Sequence, residues 1–308
     1  MIPQLTHPSS ASLLGELDSF FQSKRIFTSK DRRLVFLCGG PVSSPRSFRP
    51  RFLAYARRSL RDFRFFLAED AARDLFAHGK PTFINIAEFE ALISQLADCV
   101  LIIPESHGSI AELGYFSAQK EIRDKLLVVN DLKFQARQSF LNHGPIELVS
   151  RHSIYRPIVQ IDLKAKRPQY RPIVLLLKQY GLQIRGHFEF KKYDDLPTEH
   201  RLFVLFELIY LFGSISYDAL ELLIQSIFLD RTQLRQEQKQ HLRQLLSILC
   251  AGRYVHRVGD QALLEPMRGV RPFLDISQAD RNSIRIKIAG FKRRTLAPAT
   301  SKKRRGLK

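Results

Sequence analysis

From Leu34 onward the chain alternates short apolar runs with longer stretches in which apolar positions recur at helical spacing. The runs LVFLC (Leu34–Cys38), FRFFL (Phe63–Leu67), CVLII (Cys99–Ile103) and LLVVN (Leu126–Asn130) have the near-continuous apolar character of strands covered on both faces of a parallel sheet. Between them, Ser47–Leu60, Ala87–Ala97 and Ser109–Arg123 predict helices, and each crossover is long enough to return the chain in parallel. The expected fold over residues 34–155 is therefore an α/β domain with an open, parallel, Rossmann-like sheet, preceded by an N-terminal segment, 1–33.

The pattern loosens over residues 156–195. Pro157, Pro168 and Pro172 stand among Lys164, Lys166, Arg167 and Arg171, which predicts a basic linker holding one short apolar segment, IVLLL. Helical periodicity resumes in Pro197–Phe212, in YDALELLIQSIF behind Ser214 and Ser216, and in Gln236–Leu249. After Gly252 come RYVHRV, a Gly259-Asp260 turn and QALLEP, the signature of a small hairpin. Three helices and a hairpin predict a mostly helical winged helix-turn-helix domain over 196–280. Residues 281–308 contain no acidic residue and accumulate Lys292, Arg293, Arg294, Lys302, Lys303, Arg304 and Arg305, so a basic tail without structure is expected until a polyanion meets it.

Charge sharpens this picture. A formal net charge of +19 favours polyanionic partners, because each cation near a phosphate releases a condensed counterion, and nucleic acid leads that class. An anionic membrane surface competes, yet no apolar run approaches the roughly 20 residues of a spanning helix, and the stretch Leu202–Phe212 is interrupted by Glu207. The N-terminus has no basic start followed by an apolar core, so a cytoplasmic protein is expected. Cys38, Cys99 and Cys250 are far apart and form no C-x-x-C pair, and His78, His107 and His143 lack ligand spacing; neither disulfides nor a metal is expected.

Ligands of open parallel sheets bind beyond the carboxyl ends of the strands, which singles out the segments after Cys38, Leu67 and Ile103. The first is Gly39-Gly40-Pro41, where missing side chains let backbone approach a ribose or phosphate, although a glycine pair alone is more often a tight turn. The second is Glu69-Asp70, able to bond ribose hydroxyls or merely to cap a helix. The third is PESHGSIAELGYF, in which Gly108 and Ser109 open a helix and Glu112 lies in its first turn. A carboxylate there suits an electrostatic partner or nucleophile, but Ser109-Ile110-Ala111-Glu112 is also a capping box, the plainer reading of the motif alone. Glu88 and Glu90 fall on the preceding helix, where a solvated face is expected, and Asn142 reads as a turn residue.

Taken together, LVFLCGG, ADCVLIIPE and GSIAELGYF in consecutive strand–helix units resemble the nucleoside deoxyribosyltransferase-like family. The stretch Leu34–Val149, with DLKFQARQSFLNHGPIELV, resembles the N-glycosidase domain of retron-associated effector proteins, which carry a C-terminal winged-helix DNA-binding region. The resemblance implies chemistry at C1′ of a nucleoside, with Glu112, the glutamate of G-[ST]-x-x-E-x-G, attacking that carbon or neutralising its cationic character. Substrate contacts would come from Cys38, Gly39, Gly40, Glu69, Asp70, Gly108 and Ser109. The transferases carry an aspartate six residues before the nucleophile; here that residue is Ser106, with Glu105 beside it as an acid or base contact, and Asp98 matches another acidic position of the family.

The function so implied is a toxic anti-phage effector that hydrolyses the N-glycosidic bond of a nucleotide, NAD or a purine nucleotide, without a cofactor. A retron reverse transcriptase and its multicopy RNA–DNA hybrid would restrain it, and self-association is left open. The alternative is a non-catalytic, nucleotide-sensing DNA-binding regulator. A purely structural nucleic-acid-binding subunit leaves Glu112 and the glycine loops unexplained.

Overall fold

The computed structural model describes residues 10–22, 26–28, 33–78, 85–179, 186–229, 232–259 and 262–296, with the side chains of residues 10 and 294–296 left aside. The chain divides into two compact units. One comprises Lys30–Ile184 with His241–Tyr254; the other comprises Met1–Ser29, Arg185–Gln240 and Val255–Lys308. Elements are numbered along the chain, beginning with α1 (Ser10–Gln22) and β1 (Ile26–Thr28) of the second of these.

The sheet unit runs β2 (Arg33–Cys38), α2 (Phe48–Ser59), β3 (Phe63–Phe66), α3 (Ala68–His78), α4 (Ile86–Leu96), β4 (Cys99–Ile102), α5 (His107–Ala118), α6 (Lys120–Arg123), β5 (Leu126–Asp131), α7 (Glu147–His152), β6 (Val159–Ile161) and α8 (Arg171–Gln179). Its five strands lie in the order β3-β2-β4-β5-β6 and every pairing is parallel. Every residue of β2, β4 and β5 is buried, which is why these strands read as unbroken apolar runs. Val35 and Leu37 share one core with Phe48 and Phe52 of α2 and Ile173 and Leu177 of α8. On the alternate side Phe36 stacks on Phe66 at 5.7 Å and meets the edge of Phe116 of α5 at 6.3 Å. Truncating one such ring costs about 3–5 kcal/mol. Arg64 of β3 donates to the Gly252 and Arg253 carbonyls and lies 4.2 Å from the Tyr254 ring, within the same unit.

Part of the stretch expected as a linker is regular structure. β6 extends the sheet beside β5, and the segment IVLLL lies in α8, where Ile173 and Leu177 are buried four residues apart. Its prolines stand at the edges of these elements, leaving room for both.

The helical unit continues with β7 (His187–Phe188), α9 (Thr198–Phe212), α10 (Tyr217–Phe228), α11 (Gln236–Ala251, divided between the units after Gln240), β8 (Val255–Val258), β9 (Leu263–Pro266), β10 (Leu274–Asp275) and α12 (Gln278–Leu296). Gly213, at φ 70°, ends α9 in the left-handed region where a side chain is strained. β8 and β9 pair antiparallel from Val255↔Pro266 to Val258↔Leu263 as the expected hairpin, and Ile215 bridges to Leu264 between α9 and α10. A small sheet, β10-β1-β7, completes the unit.

The stretch from Arg281, expected to lack structure, is helical to Leu296. Ile284, Ile288 and Phe291 form its buried stripe, and Arg281 is itself buried, forked onto Glu207 of α9 at 2.7 and 2.9 Å while donating to the Leu274 and Ile276 carbonyls. The high density of cations hid this stripe in the sequence. No helix among the described residues is long and apolar enough to cross a membrane.

Candidate active site

The strand order places β2 and β4 side by side, with their crossovers leaving in opposite directions, so a crevice opens beyond their carboxyl ends. Cys38 ends β2, and its thiol bonds to the carboxylate of Glu112 on α5. α5 begins earlier than the sequence predicts. Ser106 is its N-cap, and the reciprocal capping box runs between Ser106 and Ser109 rather than between Ser109 and Glu112. Glu112 consequently sits in the second turn, released from capping duty. One of its oxygens, Oε2, is shut off from solvent and has no hydrogen-bond partner among the described residues. A buried carboxylate oxygen without a donor is costly, and such groups collect at working sites.

Three acidic side chains share this neighbourhood with one cation. Arg49 of α2, itself buried, forks onto Glu69 of α3 with contacts of 2.5 and 3.3 Å. Burial pushes the Glu112 carboxyl up, while the Cys38 thiol and Arg49 pull it back and Glu69 adds repulsion. Glu90 of α4 is raised to about 7, chiefly by burial and then by repulsion from Glu112 and Glu69, with Arg49 opposing. The thiol of Cys38 is driven well above its ordinary range by burial and by the charge of Glu112, so it remains a donor. Of the two raised carboxyls, Glu112 has the extra thiol bond favouring its ionised form. The thiol bond thus favours charge on Glu112, and that charge in turn favours a proton on Glu90.

Glu90 is the member that sequence reasoning assigned to a solvated face. The available signal was its spacing: Ile93 and Ser94, three and four residues on, are fully buried, so Glu90 stands inside the stripe that α4 turns to the core.

Other expected site residues have structural employment. Glu105 accepts the amides of Gly40 (3.0 Å) and Arg49 (2.9 Å) on Oε1 and that of Phe48 (2.7 Å) on Oε2. It substitutes for the side-chain cap that Ser47 does not give α2. With both oxygens facing amide donors, its geometry suits a staple and does not suit a proton donor. Gly39 and Gly40 are required by this approach: a Cβ on Gly40 would lie 2.7 Å from Ser47 Oγ, and one on Gly39 would lie 3.0 Å from Arg49 Cβ.

Asp98 precedes β4 and accepts the Leu34 amide at 2.7 Å. It stands at the amino end of the sheet, about 13 Å of strand from Cys38, and away from Glu112. Asp70 makes only an exposed pair with Arg73 at 3.3 Å. Ser109 is consumed by the capping box, Gly108 is exposed on the first turn, and Asn142 closes a turn by donating to the Phe134 and Arg137 carbonyls. No group of His, Cys, Asp and Glu among the described residues is arranged to hold a metal.

Of the expected nucleic-acid contacts, Lys292 points inward, donating to the Phe212 carbonyl (2.8 Å) and the Ser214 carbonyl (3.4 Å) where α9 ends, and burial lowers its pKa. Arg293 is exposed. The side chain of Arg294, and Lys302, Lys303, Arg304 and Arg305, lie outside the described residues.

The family model of the STM3845 retron effector protein matches residues 45–257, well over half of the chain. Two Escherichia coli proteins are similar over shorter stretches. The "Retron Ec73 putative ribosyltransferase/DNA-binding protein" is 36% identical over 124 residues, 40% of this chain and 39% of its own length. The "Retron Ec86 putative ribosyltransferase/DNA-binding protein" is 30% identical over 154 residues, 49% of this chain and 47% of its own. The matched region thus spans less than half the length of either relative.

Proposed function

The chain belongs to the STM3845 retron effector protein family, and from that premise we propose that its sheet unit is an N-glycosidase of the nucleoside deoxyribosyltransferase type, cleaving NAD or a purine nucleotide as the toxic effector of an anti-phage retron in the cytoplasm. The observation that carries this reading is the buried, unpartnered oxygen of Glu112 beside a second carboxyl, Glu90, raised to about 7. The bond between C1′ and the base nitrogen breaks with its electron pair leaving on the base. Glu112 meets the developing cation, bonding to C1′ or neutralising it; a departing purine takes the proton of Glu90, whereas nicotinamide leaves NAD as a neutral molecule and takes none. Water then attacks C1′, its proton returning to a Glu90 that protonated a purine or passing to solvent after nicotinamide has left, and the free sugar product leaves Glu112 ionised again. Cys38 orients Glu112 through its thiol, and Arg49 limits the repulsion among the three acids.

The helical unit is assigned as the winged-helix nucleic-acid-binding part. Support comes from α9, α10 and the start of α11, from the β8–β9 hairpin, and from the Ile215–Leu264 bridge that adds a short third strand to it. The two Escherichia coli relatives carry the words ribosyltransferase and DNA-binding in their names, which fits both halves. A retron reverse transcriptase and its RNA–DNA hybrid are the proposed restraining partners. The test is to incubate full-length protein with NAD and a panel of purine nucleotides and resolve the products by mass spectrometry. Release of free base or nicotinamide supports the assignment; intact substrates across the panel, with measurable binding, would return the unit to the nucleotide-sensing alternative.

A further inference from the structure

A second space opens at the same end of the sheet. A cavity of about 620 Å³ lies among the loops that follow β2, β4, β5 and β6, a volume typical of small-molecule sites. Three of these loops each bring a cation to its wall: Arg46 after β2, Lys133 after β5 and Lys164 after β6. Two carboxylates also line it, one fewer than the cations. Glu105 is occupied by three backbone amides. Asp131 accepts the Lys133 amide at 3.3 Å and lies 3.8 Å from its ammonium group, answering that lysine alone. Arg46 and Lys164 have no carboxylate partner among the described residues. Cations drawn from distant parts of the chain into one concavity repel each other unless an anion joins them.

We infer that this cleft is a phosphate-binding site, with Arg46 and Lys164 as its principal cations and Lys133 at its edge. The comparison of two neighbouring helix starts supports the inference. At α2 the first amides are taken by the chain's own Glu105, whereas at α5 the amides of His107 and Gly108 find no acceptor among the described residues, and His107 lines the cleft.

The cleft is distinct from the carboxylate cluster. Ile110 of α5 is on its wall, and at 3.6 residues per turn Glu112 projects roughly 200° away, on the opposite flank of the helix. The helix, about 10–12 Å across with its side chains, stands between them, and a nucleotide that reaches both passes over its N-terminal turn. Resting on the reading of Glu112 given above, the bound phosphate is the phosphorylated arm of the nucleotide whose C1′ meets that carboxylate. The source of the phosphate can also be a strand end, and the experiment separates the two.

Full-length protein is titrated calorimetrically with inorganic pyrophosphate, adenosine 5′-diphosphate, adenosine and a 5′-phosphorylated oligonucleotide. The same titrations are run on Arg46→Gln/Lys164→Gln and on the charge-matched control Lys120→Gln/Arg171→Gln. The expected result is that pyrophosphate and adenosine 5′-diphosphate bind more tightly than adenosine. The cleft pair should weaken them tenfold or more at unchanged melting temperature, while the control leaves them as they were. If the oligonucleotide alone loses affinity in the cleft pair, the phosphate comes from a strand. Equal binding of adenosine and its diphosphate, or equal weakening by the control, overturns the site. Pyrophosphate binding that survives Glu112→Gln, with no base released from any nucleotide by the wild type, leaves the cleft standing and removes the glycosidase reading.

Discussion

Two glutamates, one in each unit, show opposite uses of the same side chain. Glu207 in the helical unit is fully enclosed, and both its oxygens are met by Arg281, whose remaining donors are spent on carbonyls. Glu112 in the sheet unit is half-buried, has a weak thiol donor and the attraction of an arginine that is forked onto Glu69, and keeps Oε2 without a partner among the described residues. Burial raises the proton affinity of both carboxyls, yet only Glu207 has the geometry that repays it in stability. A satisfied buried charge specifies how helices meet; an unsatisfied one at the ends of parallel strands is held ready for something else.

The comparison is broken most sharply by the same substitution at both places. Glu112→Gln preserves shape but removes the charge that meets the sugar cation, so base release should fall by about a thousandfold or more while the melting temperature holds. Glu207→Gln should do the reverse, lowering stability by about 3–5 kcal/mol in denaturant titration because Arg281 is left buried without its counter-charge, and leaving turnover per folded molecule intact.

Glu90→Gln comes next. Loss of the proton donor should reduce turnover about 10²–10³-fold and remove the basic limb of the pH–rate profile near 7. It also has a stability signature. Because the folded state holds the Glu90 proton more tightly than the unfolded chain, this group favours folding at acid pH, and its contribution is lost as pH rises from about 4.5 to about 7. Glu90→Gln should flatten the stability profile in that window, by on the order of 1–2 kcal/mol once partial exposure is discounted. A profile parallel to the wild type's would place the titrating group elsewhere.

Smaller again is the staple. Glu105→Ala frees two amides at the start of α2 and that of Gly40 before it and should cost about 1.5–3 kcal/mol, and Gly40→Ala, which drives a Cβ against Ser47, should fall in the same class. If either variant instead lost nucleotide affinity at full stability, the loop would be a ligand contact and the staple reading would fail. The least effect is expected from removing residues 297–308, which spares α12 and the Lys292 bonds to α9. Affinity for an RNA–DNA hybrid should weaken, and its salt slope should flatten by about 0.9 for each phosphate that the shortened chain no longer neutralises; coincident slopes would make the tail a bystander.

The strands were legible because β2, β4 and β5 are buried at every position, and such strands leave no ambiguity of face. Glu112 stood out through its motif and the family resemblance, and the capping box that made the motif ambiguous is closed by Ser106 and Ser109 instead. What the sequence hid depends on tertiary context. α12 looks like a solvated tail until Glu207 is there to neutralise Arg281, and Glu90 looks exposed until the fold sets α4 beside the acids of α3 and α5. Glu105 could not be told from a loop carboxylate, because its three amides come from a segment more than fifty residues earlier.

The most direct test sets wild type, Glu112→Gln and Glu207→Gln side by side at equal folded fraction and measures base release from the nucleotide that the panel identifies, with binding of that nucleotide measured in the same preparations. The account expects all three to bind, and wild type and Glu207→Gln to release base at matching rates while Glu112→Gln releases none above background. Base release by Glu112→Gln at the wild-type rate would contradict it.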